Sequence, residues 1–479
     1  MLHRSLLGLA IIGLLLVSPG ALAKGPEPLP QTIARLVRQA GLGDGIGIHV
    51  VRLHDGKELY RNQPERPRNP ASNQKLLTSA AALRRLGPSF QLATRVEGSI
   101  IAGRVARLVV RPSGDPTLGY AMLVTLAENI HLQGVNTIDR IIIDDSYFDD
   151  QVLPPAFEQQ PTEAASFRAA ISAFSVDRNS YLVHIGPGPE VDGPAFVRVL
   201  ADDYMQIENR TVTAAEGPPT PRIDHRLTED GHLALRVEGA IPKRAPMLYY
   251  RRRVPDPRAY AASLFVRALK NAGIQGPMSV EHGTVAEPQS LVAQAHSPPL
   301  SEMLYSVGKW SDNFTAEMLL KVMGAQTETP GTSARGVAVV RKELDQMGVD
   351  TEGLVMVNGS GLFDGNQVAP QHLTQTLVAA YRDPAIRAEY IAHLAIAGSD
   401  GTLKSRLEDL PRPGMVRAKS GTLRDVIALS GYVLAEPGHS LAFSFLANGI
   451  AGRQAQARKL ADDIVRALAN YAIQPAQSH

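Results

Sequence analysis

The sequence predicts a mixed α/β (α+β) protein in which an antiparallel sheet flanked by helices is built from both ends of the chain and interrupted by a long middle. Three observations predict it. Near the N-terminus, Ile46 to Leu53 reads as a strand, and Asp55-Gly56 turns it into Glu58-Leu59-Tyr60 as a hairpin. Near the C-terminus, Met415 to Thr422, Ile427 to Val433 and Leu441 to Leu446 read as strands, the last two joined by the Glu436-Pro437-Gly438 turn. Between these ends, residues 153–288 read as short strands separated by Pro/Gly clusters such as Gly186-Pro187-Gly188-Pro189.

Residues 1–23 have the layout of a signal peptide. His3 and Arg4 form a basic start, Leu6 to Val17 an apolar run, and Ala21-Leu22-Ala23 a small-x-small cleavage site. The run falls short of the ~20 residues of a spanning helix. The sequence therefore predicts an exported chain starting at Lys24, periplasmic or extracellular, with no integral membrane anchor after cleavage. The net charge of +2 gives no reason to expect nucleic acid or an anionic membrane as partner. Cysteine is absent, which excludes disulfides, thiolate metal sites, a cysteine nucleophile and a lipid-modified cysteine. No metal or cofactor is implied, and oligomeric state is not readable.

Gln31 to Ala40 has the pattern of a short amphipathic helix ending at Gly41. Asn69-Pro70-Ala71-Ser72-Asn73-Gln74-Lys75 then reads as a helix entry into an apolar run, with Asn69 as N-cap, Pro70 at the first helical position and Gly87-Pro88 as the stop. From about Leu92 the character changes. Val105 to Val110 and Ile138 to Ile143 are β-branched runs flanking the helical Tyr120 to Leu132, a β-α-β unit. The helix Pro257 to Ala272 closes the middle, and Arg251-Arg252-Arg253 reads as a solvated loop. After Ser297-Pro298-Pro299 a second helical block begins, with Ser311 or Asp312 capping a helix from Phe314. A glycine-rich loop, Asn358-Gly359-Ser360-Gly361, and a final amphipathic helix, Arg453 to Ala469, follow. The boundaries expected are a domain of residues 24–92 and 289–479 and an insertion of residues 93–288. The insertion divides into a small β-α-β part, about 93–152, and a β-rich part, 153–288.

In the predicted helix entry, Ser72 and Lys75 lie on one face. A serine hydroxyl is a weak nucleophile until a base takes its proton, and a lysine can be that base only where burial and nearby charge keep it neutral. The helix N-terminus favours the developing oxyanion. Alone, S-x-x-K is weak: it is expected roughly once or twice by chance at this length, and Ser306-Val307-Gly308-Lys309 is a second copy. The case strengthens with Ser311-x-Asn313, the chain's only S-x-N, and Lys419-Ser420-Gly421, its only K-[S/T]-G. The ordered set S-x-x-K, S-D-N and K-T-G marks penicillin-binding proteins and class A β-lactamases.

On these motifs the chain resembles the low-molecular-mass penicillin-binding proteins that act as D-alanyl-D-alanine carboxypeptidases and endopeptidases. The resemblance spans the mature chain and includes Gly114-Asp115-Pro116-Thr117-Leu118, Ser175-Val176-Asp177-Arg178-Asn179 and Gly398-x-Asp400-Gly401-Thr402-Leu403. It implies a β-lactamase/transpeptidase-like domain interrupted by a two-domain α/β and β-rich insertion. It implies a serine DD-peptidase acting through an acyl-enzyme on D-Ala-D-Ala termini of peptidoglycan stem peptides, and on cross-links, with β-lactams as covalent inhibitors. It makes Ser72 the nucleophile, Lys75 the base and Ser311 the proton relay, with Asn313 holding the substrate backbone or Lys75. Lys419, Ser420, Gly421 and Thr422 bind the terminal carboxylate, and the N–H groups of Ser72 and Thr422 form the oxyanion hole. Asp177 faces the amine of the substrate's diamino-acid side chain, or else caps a turn. One departure stands out: the family usually reads Asp-Gly-Ser-Gly-Leu-Ser-Arg where this chain has Asn358-Gly359-Ser360-Gly361-Leu362-Phe363-Asp364. A carboxylate replaces the arginine tied to side-chain recognition, which predicts a preference for lysine-type stem peptides or indifference to the side-chain carboxylate. A β-lactamase or esterase on the same scaffold, and a non-catalytic penicillin-binding sensor, stay open as alternatives.

Overall fold

The computed structural model describes residues 27–199, 204–287 and 289–474; the expected signal peptide lies outside them. Helix α1 (Leu29–Ala40) ends at Gly41 in the left-handed conformation, a stop only glycine takes without strain. Strands β1 (Ile46–Arg52) and β2 (Glu58–Asn62) pair antiparallel around the Asp55-Gly56 turn. The helix entry expected at Asn69 is displaced. Residues Ala71–Asn73 form a 3-10 turn, and α2 (Gln74–Leu86) starts after it. The Asn69 side chain accepts the Ala71 N–H at 2.9 Å and Ala71 takes φ 44°, so Asn69 caps the turn and not the helix.

The middle of the chain begins with β3 (Ala93–Glu97), β4 (Arg104–Arg111), α3 (Tyr120–Leu132) and β5 (Thr137–Ile143), where β4 and β5 run parallel on either side of the helix in sequence. It continues through β6 (Ser180–Gly186), β7 (Phe196–Arg198), β8 (Met205–Ala214), β9 (Arg222–Leu227), β10 (Leu233–Pro242), β11 (Leu248–Arg253), α4 (Pro257–Asn271) and β12 (Ser279–His282). Arg251-Arg252-Arg253 is therefore not a loop but the end of β11, paired with Leu182, Tyr181 and Ser180 of β6. Ladder pairing outweighs the like-charge repulsion of adjacent arginines because their side chains alternate between the two faces.

The chain returns through β13 (Leu291–His296), α5 (Leu300–Gly308), α6 (Asn313–Ala325), α7 (Ser333–Gln346), α8 (Pro370–Arg382), α9 (Arg387–Ala392), β14 (Ala395–Ile396), β15 (Val416–Thr422), β16 (Ile427–Val433), β17 (Leu441–Ala447) and α10 (Gln454–Ala472). Among the described residues the strands form four sheets. The largest has the order β14-β15-β16-β17-β1-β2, so both ends of the chain do build one sheet, with Ile46 opposite Ala447 and Arg52 opposite Leu441. Every residue of β16 and β17 is buried, because helices cover both faces. On one face α1 and α10 pack through Ile33, Ile464 and Leu468 against Phe443 and Phe445. On the other, α2, α6 and α8 form a cluster with Leu76, Leu320 and Leu377. A third cluster runs from Val96 to Ala293 and joins the sheet β12-β5-β4-β3-β13 to the sheets β8-β10-β9 and β11-β6-β7.

Leu76 is fully buried where α2 meets the helical cluster. Leu76→Ala should destabilise the chain by about 2–5 kcal/mol through lost burial and the residual cavity, measurable as a lower urea midpoint.

Candidate active site

The turn that carries Ser72 is clamped from several sides. Asn69 donates through Nδ2 to Asp364 Oδ1 at 2.8 Å, and its backbone exchanges two hydrogen bonds with the Asn448 side chain. The Asn73 amide, oriented with its nitrogen toward the Lys419 carbonyl at 2.7 Å, ties the turn to β15. Two glycines let other backbone come close. A Cβ on Gly421 would stand 3.0 Å from Ser72 N, and one on Gly361, at φ +74°, would stand 1.9 Å from Ala71 O. These contacts hold rigid a segment whose own backbone bonds amount to a single 3-10 turn.

Lys75, in the first turn of α2, is fully buried. Its Nζ lies 3.0 Å from Ser72 Oγ, 2.7 Å from Asn313 Oδ1 and 2.6 Å from the Ser360 carbonyl. An ammonium has three protons, and each has an acceptor here. Burial lowers the Lys75 pKa to about 7, against the opposing pull of Glu317 and Asp312. When the lysine is neutral, one of the three contacts must reverse, and a hydroxyl is the partner able to donate. Ser72 O–H then points at a free amine lone pair.

The second Ser–Lys pair faces it. Lys419 Nζ donates to Ser311 Oγ at 2.9 Å and to the Ser420 carbonyl at 2.7 Å. Burial first, and the Lys75 charge second, hold the Lys419 pKa well below the ordinary lysine range. Ser311 sits at φ 61°, a conformation a non-glycine residue keeps only when its surroundings enforce it. Asp312 caps α6 by accepting Thr315 N–H at 2.6 Å, which aims Asn313 at Lys75. Beyond Ala418, β15 loses its β14 neighbour, so its edge is open next to the Ser72 turn. The Ser420 hydroxyl meets Thr402 of the Gly401–Leu403 turn at 2.7 Å, and Thr422 is exposed at the strand end.

The insertion touches this cluster twice. The Phe167 carbonyl accepts Asn313 Nδ2 at 2.8 Å, which fixes the amide so that its oxygen faces Lys75. Arg178 pairs with Asp312 at 3.1 Å. Asp177, next to Arg178, accepts the Tyr120 N–H at the start of α3 at 3.4 Å, and burial raises its pKa. Ser72, Lys75, Ser311, Asn313 and the Lys419–Gly421 strand are thus brought together, whereas Asp177 lies at the insertion side and bonds to none of them. The second S-x-x-K copy does not form a comparable pair. Ser306 Oγ donates to the Met303 carbonyl, and Lys309 Nζ is engaged by Asp400 at 2.6 Å and the Leu394 carbonyl.

Several groups in the site have no motif to announce them. The Ser360 and Phe167 contacts come from backbone carbonyls, which any residue supplies. Glu317 is fully buried one turn after Asn313, and its carboxylate accepts the Gly359 and Ser360 N–H groups at 3.1 and 2.8 Å. It thereby orients the loop just before the Ser360 carbonyl that holds Lys75. Its only sequence clue is position: an acid at i+4 from Asn313 in a run that is mostly apolar. Among the described residues no cluster of three or more His, Asp or Glu is arranged to hold a metal ion.

Comparison with known proteins follows the same lines. Residues 29–471 match the family model described as D-Ala-D-Ala carboxypeptidase 3 (S13). A D-alanyl-D-alanine carboxypeptidase of Actinomadura sp. is 34% identical over 444 residues, covering 89% of this chain and 81% of the relative. The D-alanyl-D-alanine carboxypeptidase DacB of Haemophilus influenzae is 27% identical, covering 79% and 80%. The crystal structure of penicillin binding protein 4 (dacB) from Haemophilus influenzae superposes with a TM-score of 0.77 at 24% identity, covering 91% of this chain and 98% of that one. A predatory endopeptidase from Bdellovibrio bacteriovorus superposes at 0.51 with 15% identity, covering 90% and 95%.

Glu317→Gln keeps the shape but sets an amide NH₂ against a backbone N–H. Losing a charged acceptor in a fully buried place should lower the rate of acylation by penicillin about tenfold or more, at about 1.4 kcal/mol per decade, while the variant stays folded by circular dichroism.

Proposed function

The chain belongs to the D-Ala-D-Ala carboxypeptidase 3 (S13) family and is a serine-type DD-peptidase, and on that premise we propose that Ser72 is its nucleophile and Lys75 its general base. The observation that carries this reading is the buried Lys75 amine 3.0 Å from Ser72 Oγ with its pKa near neutrality. The substrate is a peptidoglycan stem peptide ending in D-Ala-D-Ala. Neutral Lys75 takes the Ser72 proton as Oγ attacks the penultimate carbonyl, and the Ser72 and Thr422 N–H groups receive the oxyanion. Collapse breaks the C–N bond, and Ser311 passes a proton to the departing amine. Water then cleaves the ester and frees Ser72. If the departing amine belongs to a neighbouring stem peptide, the same steps open a cross-link.

Lys419, Ser420, Gly421 and Thr422 bind the terminal carboxylate. Lys419 lies beside Ser311 with no carboxylate bonded to it among the described residues, and an arriving anion favours its charged form. A β-lactam acylates Ser72 by the same attack. The pattern over residues 1–23 supports export, with the peptidase working in the periplasm or at the wall. Among the described residues no helix is long and apolar enough to cross a membrane.

Asp177 and Asp364 bear on side-chain preference. The single Asp177 bond to the Tyr120 N–H is long, so its carboxylate keeps acceptor capacity for a substrate amine. Asp364 is exposed and held by Asn69, directly behind the Ser72 turn. A carboxylate at Asp364, where the family pattern has an arginine, favours a side chain ending in an amine alone.

Three measurements follow. Peptide mapping after penicillin treatment should place the adduct on Ser72 and not on Ser306. The acylation rate should rise as pH climbs through about 7 and be lost below it, because the base is the deprotonated form; Lys75→Arg, which cannot deprotonate, should abolish it. Finally, kcat/KM should favour lysine-type over diaminopimelate-type pentapeptides, and Asp364→Arg should narrow the gap; a strong diaminopimelate preference unmoved by that change would refute the Asp364 assignment.

A further inference from the structure

The insertion presents a face that the chemistry at Ser72 does not use. In the sheet β11-β6-β7, Tyr249 stands opposite His184 and His184 opposite Arg198, while two residues along Phe196 stands opposite Gly186. Residues two apart in a strand share a face, so these side chains and Arg251 look the same way. Their neighbours Val183 and Ile185 face the opposite way, into the insertion core. Tyr249 is 62% exposed, Phe196 46% and Met247 39%. The Tyr249 and His184 rings stack edge to face at 5.1 Å. Met247 lies over the bare backbone of Gly186, where a Cβ would meet it at 2.9 Å. Single apolar residues on a surface need no explanation, but a contiguous aromatic and thioether row, edged by the exposed Arg198, is the composition of a binding face.

The face also has a direction. β6 starts at Ser180, immediately after the turn Asp177–Asn179, and Arg178 of that turn grips Asp312 between Ser311 and Asn313. Arg251 donates to Ser180 Oγ at 3.1 Å, so the charged end of the face lies toward the catalytic cleft. From there to Gly186 the strand extends about 20 Å, at roughly 3.3 Å per residue.

We propose that this face is a docking track for polymeric peptidoglycan, along which sugar rings stack on Tyr249 and Phe196 while stem-peptide carboxylates meet Arg198 and Arg251. The proposal rests on the DD-peptidase reading, because the occupant is the polymer whose peptide ends reach Ser72. Continuity with the cleft selects it: the chemistry proposed at Ser72 acts on the end of a stem peptide, and the rest of the polymer must pass over the neighbouring surface. Charge and shape agree, since pyranose rings offer flat C–H faces to aromatic side chains and the peptides carry carboxylates that suit arginine.

The test compares wild type, the double variant Phe196→Ala/Tyr249→Ala, and Arg198→Glu. Three quantities are read: penicillin acylation, kcat/KM on a soluble pentapeptide ending in D-Ala-D-Ala, and co-sedimentation of the penicillin-blocked protein with insoluble peptidoglycan. The first two should stay at wild-type values in both variants, which also shows that they fold. Affinity for insoluble peptidoglycan should fall about tenfold in the double variant, the size of a hot-spot truncation, and Arg198→Glu should weaken it most at low salt. Wild-type sedimentation by both variants overturns the track. So does a wild-type dimer in the ultracentrifuge that the double substitution converts to monomer, since the face then belongs to a second copy of the chain. A wild type that penicillin fails to acylate overturns the DD-peptidase reading instead, and sedimentation of the unblocked protein still decides the track.

Discussion

The removal of one lysine from water organises this molecule. An ammonium as buried as Lys75 costs several kcal/mol unless it is neutralised or fully hydrogen-bonded. The surrounding structure supplies the bonds from three unconnected segments: the turn at Ser72, the start of α6 at Asn313 and the loop at Ser360. Each needs its own support. Asp312 caps α6, Glu317 holds the Gly359–Ser360 peptides, and Gly361 lets that loop press on Ala71. The acceptors satisfy the charged form and burial opposes it. That balance leaves the amine near neutrality and able to exchange a proton with its serine.

Much of this was legible in the sequence because the main features are periodic or punctuated. The runs Ile46 to Leu53, Ile427 to Val433 and Leu441 to Leu446 coincide with β1, β16 and β17 to within a residue, and Gly41 and Pro257 mark helix ends where they were expected. The three short motifs are visible because they are patterns of side chains at fixed spacing. What was not legible had one of two causes. Some contacts are made by the main chain, as at Ser360 and Phe167, and leave no residue signature. Others are set by tertiary context. Pro70 suits a first helical position, yet Asn69 and Asn448 hold a 3-10 turn there, and the charge run of β11 resembles a loop because its partner strand lies far away in sequence.

The insertion is more than a passenger on the catalytic sheet. It reaches the S-x-N segment through two consecutive residues, an ion pair at Asp312 and a backbone acceptor at Asn313. An amide side chain has two nearly isosteric orientations, and only one of them offers oxygen to Lys75. The Phe167 carbonyl selects that orientation, so a segment remote in sequence helps set the protonation behaviour of Lys75. Surface ion pairs such as Arg178 with Asp312 are individually weak, and their effect here is to choose among conformations.

The pairing of β1 with β17 has a consequence for time. Ile46 finds its partner at Ala447, so the segment that carries Ser72 meets the strand that carries Lys419 only when opposite ends of the chain come together. Contacts that close such long loops form late and slowly. Until they do, Ser72 has neither a desolvated amine beside it nor a β15 edge opposite, and is an ordinary alcohol in water. A chain whose ends have not yet met therefore carries the Ser72 motif without the geometry that would activate it.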